Sequence, residues 1–274
     1  MMELPESYSL AKQITKELKG KTIIEVIILQ TPHKFAFFKN DISKYPDMLI
    51  NQTITGAVFK GGMLEIDTID SQIVFSDGTT PRYYTNADKL PKKHQFALIF
   101  DDNTALFCSI RMYGFIIVSP LGKCDEEYYL SSSTKLNPLS EGFTYDYFRS
   151  LYDSKCVMSV KGFLATEQRI PGLGNGVLQD ILLEAGIDPR FKMSNATEDD
   201  FHKLYNAIML TIKSMCEKGG RNSECDIFGN PGGYISKLCK NTLGKPCLIC
   251  GNTIKKTQYM GGTVYFCDKC QKQL

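Results

Sequence analysis

The chain has 274 residues, of which 43% are hydrophobic and 23% are charged. This length allows one large domain, or two ordinary domains with a small module, and the composition is that of a globular protein in water. No apolar run is long enough for a membrane helix, and the acidic start MMELPE lacks the basic and apolar pattern of a secretory signal. We therefore expect a cytoplasmic protein without a membrane partner.

The formal net charge of +2 is unevenly distributed along the chain. Residues 236–274 hold seven lysines and one acid, a local balance of +6, so residues 1–235 sum to −4. A basic C-terminal module can bind phosphate, but charge alone favours a solvated, lysine-rich surface. Composition therefore neither requires nor excludes a nucleic-acid partner.

The predicted elements begin with a helix over residues 5–19, where Leu10, Ile14 and Leu18 repeat at a spacing of four and Gly20 follows. From residue 21 to about residue 119, short runs of β-branched and aromatic residues alternate with turn residues, which is typical of a β-sandwich or barrel. Helical periodicity then predicts four helices, at residues 139–153, 159–169, 175–186 and 197–220. The predicted fold class is therefore α+β.

The strongest motif lies close to the C-terminus, where two Cys-x-x-Cys pairs bracket sixteen residues. Each pair places two thiolates on one turn, and four thiolates complete the tetrahedral sulfur site that structural zinc prefers. We predict one structural zinc ion, because protein ligands would occupy all four positions and leave none for catalysis. A redox role or a chance pairing is the alternative. The predicted ligands are Cys247, Cys250, Cys267 and Cys270.

A second motif, IPGLGNGVLQDILLEAGIDPR at residues 170–190, runs from a glycine-rich turn directly into a helix. Backbone N–H groups at such a helix start can face a phosphate, and the side-chain amide of Asn175 can add a donor. Because Gly-x-Gly alone is a weak signal, an ordinary tight turn between helices stays the alternative.

Taken in order, the motifs resemble those of the formamidopyrimidine-DNA glycosylase/endonuclease VIII family across essentially the whole chain. The shared features are ELPE at residues 3–6, RMYG at residues 111–114, the glycine turn, GNPGGY at residues 229–234 and the four-cysteine finger. The resemblance implies three domains. These are a catalytic-type N-terminal β-sandwich at residues 1–135, a helix–two-turns–helix DNA-binding domain at residues 136–235, and a zinc-finger hairpin at residues 236–274.

The resemblance further implies a monomeric DNA-repair enzyme that flips a damaged base out of double-stranded DNA. Side chains must then fill the gap that the base leaves in the duplex. By this resemblance, Arg111 hydrogen-bonds the orphaned base and Tyr113 wedges between base steps. Gly174 and Asn175 in the glycine turn hold the DNA backbone at the lesion, and Lys60 is a further candidate contact.

The N-terminal chemistry departs from the family pattern. The family uses an N-terminal proline, exposed by removal of the initiator Met, to attack the sugar C1′, and the following glutamate assists by proton transfer. Here Met2 stands at the proline position, whereas Glu3 is present. Since removal of Met1 usually requires a small second residue, we expect Met1 to stay. Its primary amine would then lie about 3.8 Å beyond the usual place, although it is still a possible nucleophile. The candidate catalytic residues are Glu3, Met2 and Met1.

Two positions of the family's phosphate site also differ. Gly62 stands where the family has a lysine in its GKYLL-like strand, with Lys60 two residues earlier. The family finger carries an arginine between its cysteine pairs, and Gly262 or Thr263 stands there in this chain. All of these losses belong to the sugar and phosphate site. They indicate altered or lost lyase chemistry on a preserved DNA-binding scaffold.

Three functions stay open from the sequence. The first is a glycosylase for oxidised or ring-opened bases, with or without AP-lyase activity, in which Glu3 activates a water or assists the terminal amine. The second is a catalytically inactive protein that binds damaged DNA on the same scaffold. The third is a zinc-stabilised protein that binds no nucleic acid, which salt-dependent binding to duplex DNA would exclude. We favour the first, because Glu3 occurs together with Arg111, Tyr113 and Asn175.

Overall fold

The computed structural model describes residues 1–110, 113–155 and 157–271. These residues form two compact units, one of residues 1–133 with 219–233 and the other of residues 134–218 with 234–271. Sheets and helices occur together as expected, which confirms the α+β class, whereas the three-domain division stays a prediction. In the part of the chain that the structure describes, no helix has both the length and the hydropathy that crossing a membrane requires.

The first unit contains two β-sheets and flanking helices. Its elements are α1 (Leu4–Leu18), β1 (Ile23–Ile28), β2 (Ala36–Lys39), α2 (Tyr45–Leu49), β3 (Ile54–Lys60), β4 (Met63–Thr68), β5 (Ser71–Phe75), β6 (Thr79–Tyr84), β7 (Phe96–Phe100), β8 (Ala105–Ile110), β9 (Gly114–Pro120) and α3 (Glu127–Thr134). One sheet has the order β1–β7–β8–β6 and is antiparallel. The other has the order β2–β9–β5–β4–β3, in which β2 pairs with β9 in parallel and the other pairs are antiparallel.

The two sheets and α1 share one apolar core, which confirms the predicted β-sandwich. Every residue of β5 and of β7 is buried, and β7 accordingly has the continuous apolar sequence FALIF rather than an alternating one. Phe75 of one sheet meets Phe96 of the other edge to face, with 5.8 Å between ring centroids. Helix α1 adds Leu10, Ile14 and Leu18 to this core, and thereby fixes its own N-terminal end against the sandwich.

The second unit is helical and ends in a β-hairpin. Its elements are α4 (Tyr145–Ser150), α5 (Val160–Ala165), α6 (Asn175–Ala185), α7 (Glu198–Glu217), β10 (Lys255–Tyr259) and β11 (Gly262–Phe266). Helix α6 starts at the glycine turn and stops at Gly186, which adopts a left-handed conformation with φ +70°. Helix α7 starts at a capping box between Thr197 and Asp200, as the sequence predicts. Helix α6 packs against both α7 and β11, so the glycine turn and the hairpin lie on the same framework.

Candidate active site and metal centre

The three candidate catalytic residues lie together at the start of α1, where Met2 and Glu3 are buried and Met1 is exposed. The Met1 amine lies 2.6 Å from a carboxylate oxygen of Glu224. The Met2 side chain is part of the sandwich core, and its peptide N–H donates to the carbonyl of Asp77 at 2.9 Å. Glu3 is only 6% exposed. Of these three residues, Met1 therefore presents an amine and Glu3 a carboxylate, whereas the Met2 nitrogen is an amide.

A buried arginine is paired with the acids at this helix start. The sequence analysis did not single it out. Arg221 is 4% exposed, and its Nη1 lies 3.4 Å from Glu3 Oε1. Its Nε and Nη2 donate to the two carboxylate oxygens of Glu6 at 3.0 and 2.8 Å, and Nη2 also donates to the Met1 carbonyl at 3.1 Å. The result is a guanidinium shared between two buried carboxylates, with a bidentate pair on Glu6.

The ionisation of this cluster follows from burial and charge. Burial by itself would raise the pKa of Glu6, but the charge and hydrogen bonds of Arg221 together hold it below its usual value. Burial would likewise lower the pKa of Arg221, and the carboxylates of Glu3 and Glu6 outweigh that effect and raise it. Burial raises the pKa of nearby Asp77. Arg221 and Glu6 therefore both carry their charges at neutral pH.

Two glycines allow Arg221 to reach the helix start. Gly220 has φ +97°, a left-handed conformation, and a Cβ at this position would lie 3.3 Å from Glu6 Oε1. A Cβ at Gly232 would lie 2.3 Å from the carbonyl oxygen of Gly220, so the backbone at residue 232 is in contact with the backbone at residue 220. This glycine-rich stretch is therefore a closely packed part of the site.

The rest of segment 219–233 is also tied to the sandwich. Ile227 is fully buried in the core, its N–H donates to the side-chain oxygen of Gln13, and its carbonyl accepts the N–H of Tyr83 at 2.7 Å. Between this segment and the helix start lies a cleft of about 180 Å³. The cleft is lined by Met1, Met2, Glu6 and Leu10, by residues 78–82 and by residues 223–225.

The other predicted DNA contacts of the first unit have separate surroundings. Tyr113 is 61% exposed at the start of β9, and its ring lies 4.7 Å from that of Phe35. Lys60 lies at the end of β3, with Nζ 4.0 Å from Glu65 Oε1. Arg111 lies outside the described residues. Their roles in DNA binding stay predictions, and the exposure of Tyr113 suits the wedge that was predicted for it.

The glycine turn of the second unit meets the hairpin. Gly174 is the N-cap of α6. The Asn175 Nδ2 atom donates to the carbonyl of Thr263 at 2.9 Å. From α5, the 5% exposed Lys161 donates from Nζ to the carbonyl of Tyr259 at 2.6 Å. Burial lowers the pKa of Lys161. The two side chains hold the hairpin turn from both of its ends.

Two further side chains of α6 secure the finger. Asp180 is fully buried, and its two carboxylate oxygens accept the backbone N–H groups of Lys237 and Leu238 at 2.9 and 2.8 Å. Gln179 Oε1 accepts the N–H of Tyr265 in β11 at 2.6 Å. The finger is thus docked on α5 and α6 through side chains that bind its backbone.

The four cysteines form a metal-binding cluster. Their sulfurs all lie within 4.8 Å of one another. The Cys247–Cys270 and Cys250–Cys267 sulfur distances are 3.9 and 3.5 Å. Tetrahedral zinc with bonds of about 2.3 Å separates its sulfurs by about 3.8 Å, so the donor set and spacing fit zinc. Burial and the three neighbouring thiols raise the pKa of the Cys270 thiol, and a bound cation would reverse this effect.

Comparison with known proteins agrees with this architecture over the full length of the chain. No protein-family model matches the chain. Formamidopyrimidine-DNA glycosylases of Wolbachia pipientis wMel and Bacillus licheniformis are each 29% identical to it, over 280 and 279 residues. The two matches cover 99% and 100% of this chain and the whole of each relative.

Solved structures show the same fold. The Lactococcus lactis Fpg in complex with an abasic site containing DNA has a TM-score of 0.85 at 21% identity, and covers 99% of this chain and 100% of that one. The MutM (Fpg) protein of Thermus thermophilus has a TM-score of 0.82 at 22% identity, with 98% of both chains covered. Full-length relatives, a shared fold and a four-cysteine finger make the chain similar to formamidopyrimidine-DNA glycosylases from end to end.

Proposed function

We propose that this protein is a DNA-repair glycosylase that removes oxidised or ring-opened bases from double-stranded DNA. The observation that carries the proposal is that the chain matches formamidopyrimidine-DNA glycosylases from end to end, with Glu3 between two residues, Met2 and Glu6, that line the cleft. Crystal structures of the Lactococcus lactis Fpg contain an N7-Benzyl-Fapy-dG containing DNA and an oxidized pyrimidine containing DNA, and these lesions belong to the substrate class that we assign.

The proposed reaction is hydrolysis of the glycosidic bond. A water attacks the sugar C1′, Glu3 takes the proton from that water, and the base leaves and gains a proton from solvent. We assign the attack to water because the Met1 amine is paired with Glu224 and the Met2 nitrogen is an amide. The expected product is an abasic site, with AP-lyase activity reduced or absent.

The second unit supports binding rather than chemistry in this proposal. Gly174 and Asn175 would contact the DNA backbone at the turn that begins α6, and Tyr113 of the first unit would enter the duplex, together with Arg111. A structural zinc ion held by the four cysteines would stabilise the hairpin that Asn175 and Lys161 contact. We expect the protein to act as a cytoplasmic monomer.

The test uses purified, zinc-loaded protein and duplexes that carry an oxidised purine, an oxidised pyrimidine, a formamidopyrimidine or an abasic site. Each reaction is run with and without borohydride. Base release without a covalent adduct is the expected result. A trapped complex would assign the attack to an amine, which peptide mapping would locate. Tight binding without base release from any substrate would refute the proposed activity.

The variant that tests the assignment is Glu3→Gln, which removes the proposed base and keeps the shape of the side chain. We expect base release to fall by at least about a hundredfold, the lower end for a general base. Glu17→Gln, at the other end of the same helix, is the matched control and should retain activity. Unchanged base release by Glu3→Gln would rule out the proposed role of Glu3.

A further inference from the structure

The contacts of Arg221 at the helix start are not explained by their contribution to stability alone. A buried ion pair contributes little net stability, because desolvation of the charges offsets most of their attraction. Here a single guanidinium is nonetheless shared by Glu3, Glu6 and the Met1 carbonyl. Its own backbone N–H also donates to Glu6 Oε1 at 3.0 Å, so both the main chain and the side chain of residue 221 are fixed by one acid.

Arg221 places a buried positive charge against the Glu3 carboxylate. The groups that face this cluster are the carboxylates of Glu6 and Glu224, the Met1 amine, the side chain of Asp77 and the Arg221 guanidinium. The Met1 amine pairs with Glu224, so these two charges offset each other. Glu6 repels a second negative charge at Glu3, and Arg221 is the buried cation in contact with both acids.

The same residue connects the cleft wall to the helix start. Arg221 lies two residues before the wall residues 223–225, and its carbonyl accepts the N–H of Glu224 at 3.1 Å. Glu224 in turn accepts the N–H of Gly232 at 3.0 Å on its own carbonyl. A displacement of this wall would therefore be transmitted to the atoms that orient Glu3.

We infer that Arg221 is a positioning residue for the proposed reaction: it keeps Glu3 ionised as a base and orients it with respect to the cleft. This inference rests on the proposed function, because it assigns Glu3 the task of accepting a proton from water. A carboxylate that is held ionised is available to accept a proton from water and cannot act as a proton donor. Arg221 thereby favours Glu3 as the general base that activates water over Glu3 as the general acid that protonates the leaving base.

The experiment compares the pH dependence of kcat/KM for base release in wild type, Arg221→Lys and the double variant Glu6→Gln/Arg221→Met. The double variant removes one negative and one positive charge together, so that the cluster keeps its balance and the protein its fold. Glu6→Gln alone is its reference. We expect the acidic limb of the double variant to move up by about one pH unit or more relative to this reference. Arg221→Lys, which keeps the charge but loses the planar fork, should retain the acidic limb and lose at least about tenfold in kcat.

A second readout does not depend on activity. Carboxyl ¹³C NMR, assigned with Glu3→Gln, follows the titration of Glu3 in the same proteins. We expect its midpoint to rise in the double variant relative to Glu6→Gln and to be unchanged in Arg149→Lys, which alters an arginine–glutamate pair of the second unit. Equal midpoints and equal pH profiles in the double variant and Glu6→Gln would overturn the inference. If wild type releases no base from any substrate, the proposed function fails, and the NMR midpoint alone decides the effect of Arg221 on Glu3.

Discussion

The buried carboxylate of Asp180 gives the sharpest test of how the finger is held. Each of its two oxygens accepts one backbone N–H of the segment that leads to the cysteines, from Lys237 and Leu238. Asp180→Ala would leave one buried and one part-buried backbone donor without this acceptor, at about 1–3 kcal/mol each. Burial raises the pKa of Asp180, because its charge is desolvated. The variant removes this desolvated charge, which offsets part of the cost. We expect a net loss of about 3 kcal/mol.

The same helix offers a matched control. Glu184 also contacts the segment, through the side chain of Lys237, but this pair is exposed to solvent. Glu184→Ala should therefore cost less than about 1 kcal/mol. Urea denaturation followed by circular dichroism compares the two variants, since the chain has no tryptophan for fluorescence. Equal losses for Asp180→Ala and Glu184→Ala would show that the buried acceptor is not the anchor.

The anchor also has a consequence for the metal site. Leu238, whose N–H binds Asp180, packs in one apolar cluster with Cys247, Cys267 and Ile254. If this segment is released, the cluster loses one of its walls. Asp180→Ala should therefore release zinc to a chromophoric chelator faster than Glu184→Ala does, and equal release rates would separate the anchor from the metal site.

Three further predictions concern charge, metal and DNA. Burial and Glu65 raise the pKa of Asp67 to about 6. The stability contributed by its protonated form is thus present below pH 3.8 and lost as the pH rises through 6. The free energy of unfolding of the wild type should therefore fall between about pH 4 and about pH 7.5. Asp67→Asn should make this fall smaller by about 1 kcal/mol, after allowance for solvent screening. Urea denaturation at the two pH values measures the difference, with the exposed Glu25→Gln as control. Removal of the metal should increase hydrogen exchange in β10 and β11 more than in α7, and uniform exchange would contradict a local role for the cluster. Tyr113→Ala should weaken binding to a lesion duplex about tenfold without changing the circular dichroism spectrum, and unchanged affinity would remove Tyr113 from the interface.

Much of the fold could be predicted from local patterns. The helix predicted at residues 5–19 is α1 at Leu4–Leu18, and the apolar runs mark β5, β7 and β8. Several elements were missed, among them α2, β6 and α3. Strand β6 contains Pro81, which is tolerated because β6 lies at the edge of its sheet. Helix α3 has the sequence EYYLSSST, in which serines replace the apolar period that identifies a helix.

In the site too, residues that lie close together in the sequence could be predicted, and residues that meet only in the fold could not. The four cysteines could be assigned because each pair of ligands lies on one turn, and their sulfurs do meet. Arg221 could not be assigned, because it meets Glu6 and Glu3 across 215 and 218 residues of chain. Its glycine-rich surroundings serve close packing of backbone against backbone at Gly220 and Gly232.

At the positions where the sequence departs from the family pattern, other side chains of this protein supply a positive charge. Gly262 stands where an arginine was expected, and a Cβ there would lie 3.4 Å from Lys161 Nζ and 3.6 Å from Asn175 Nδ2. The hairpin turn therefore already has a cation beside it, supplied by α5. At the helix start, Met2 fills the core and Arg221 supplies a cation to Glu3. In both places the charge comes from an element distant in sequence, so the departures from the family pattern do not leave an uncharged site, and the hydrolysis that we propose for Glu3 does not call on the side chains that are missing.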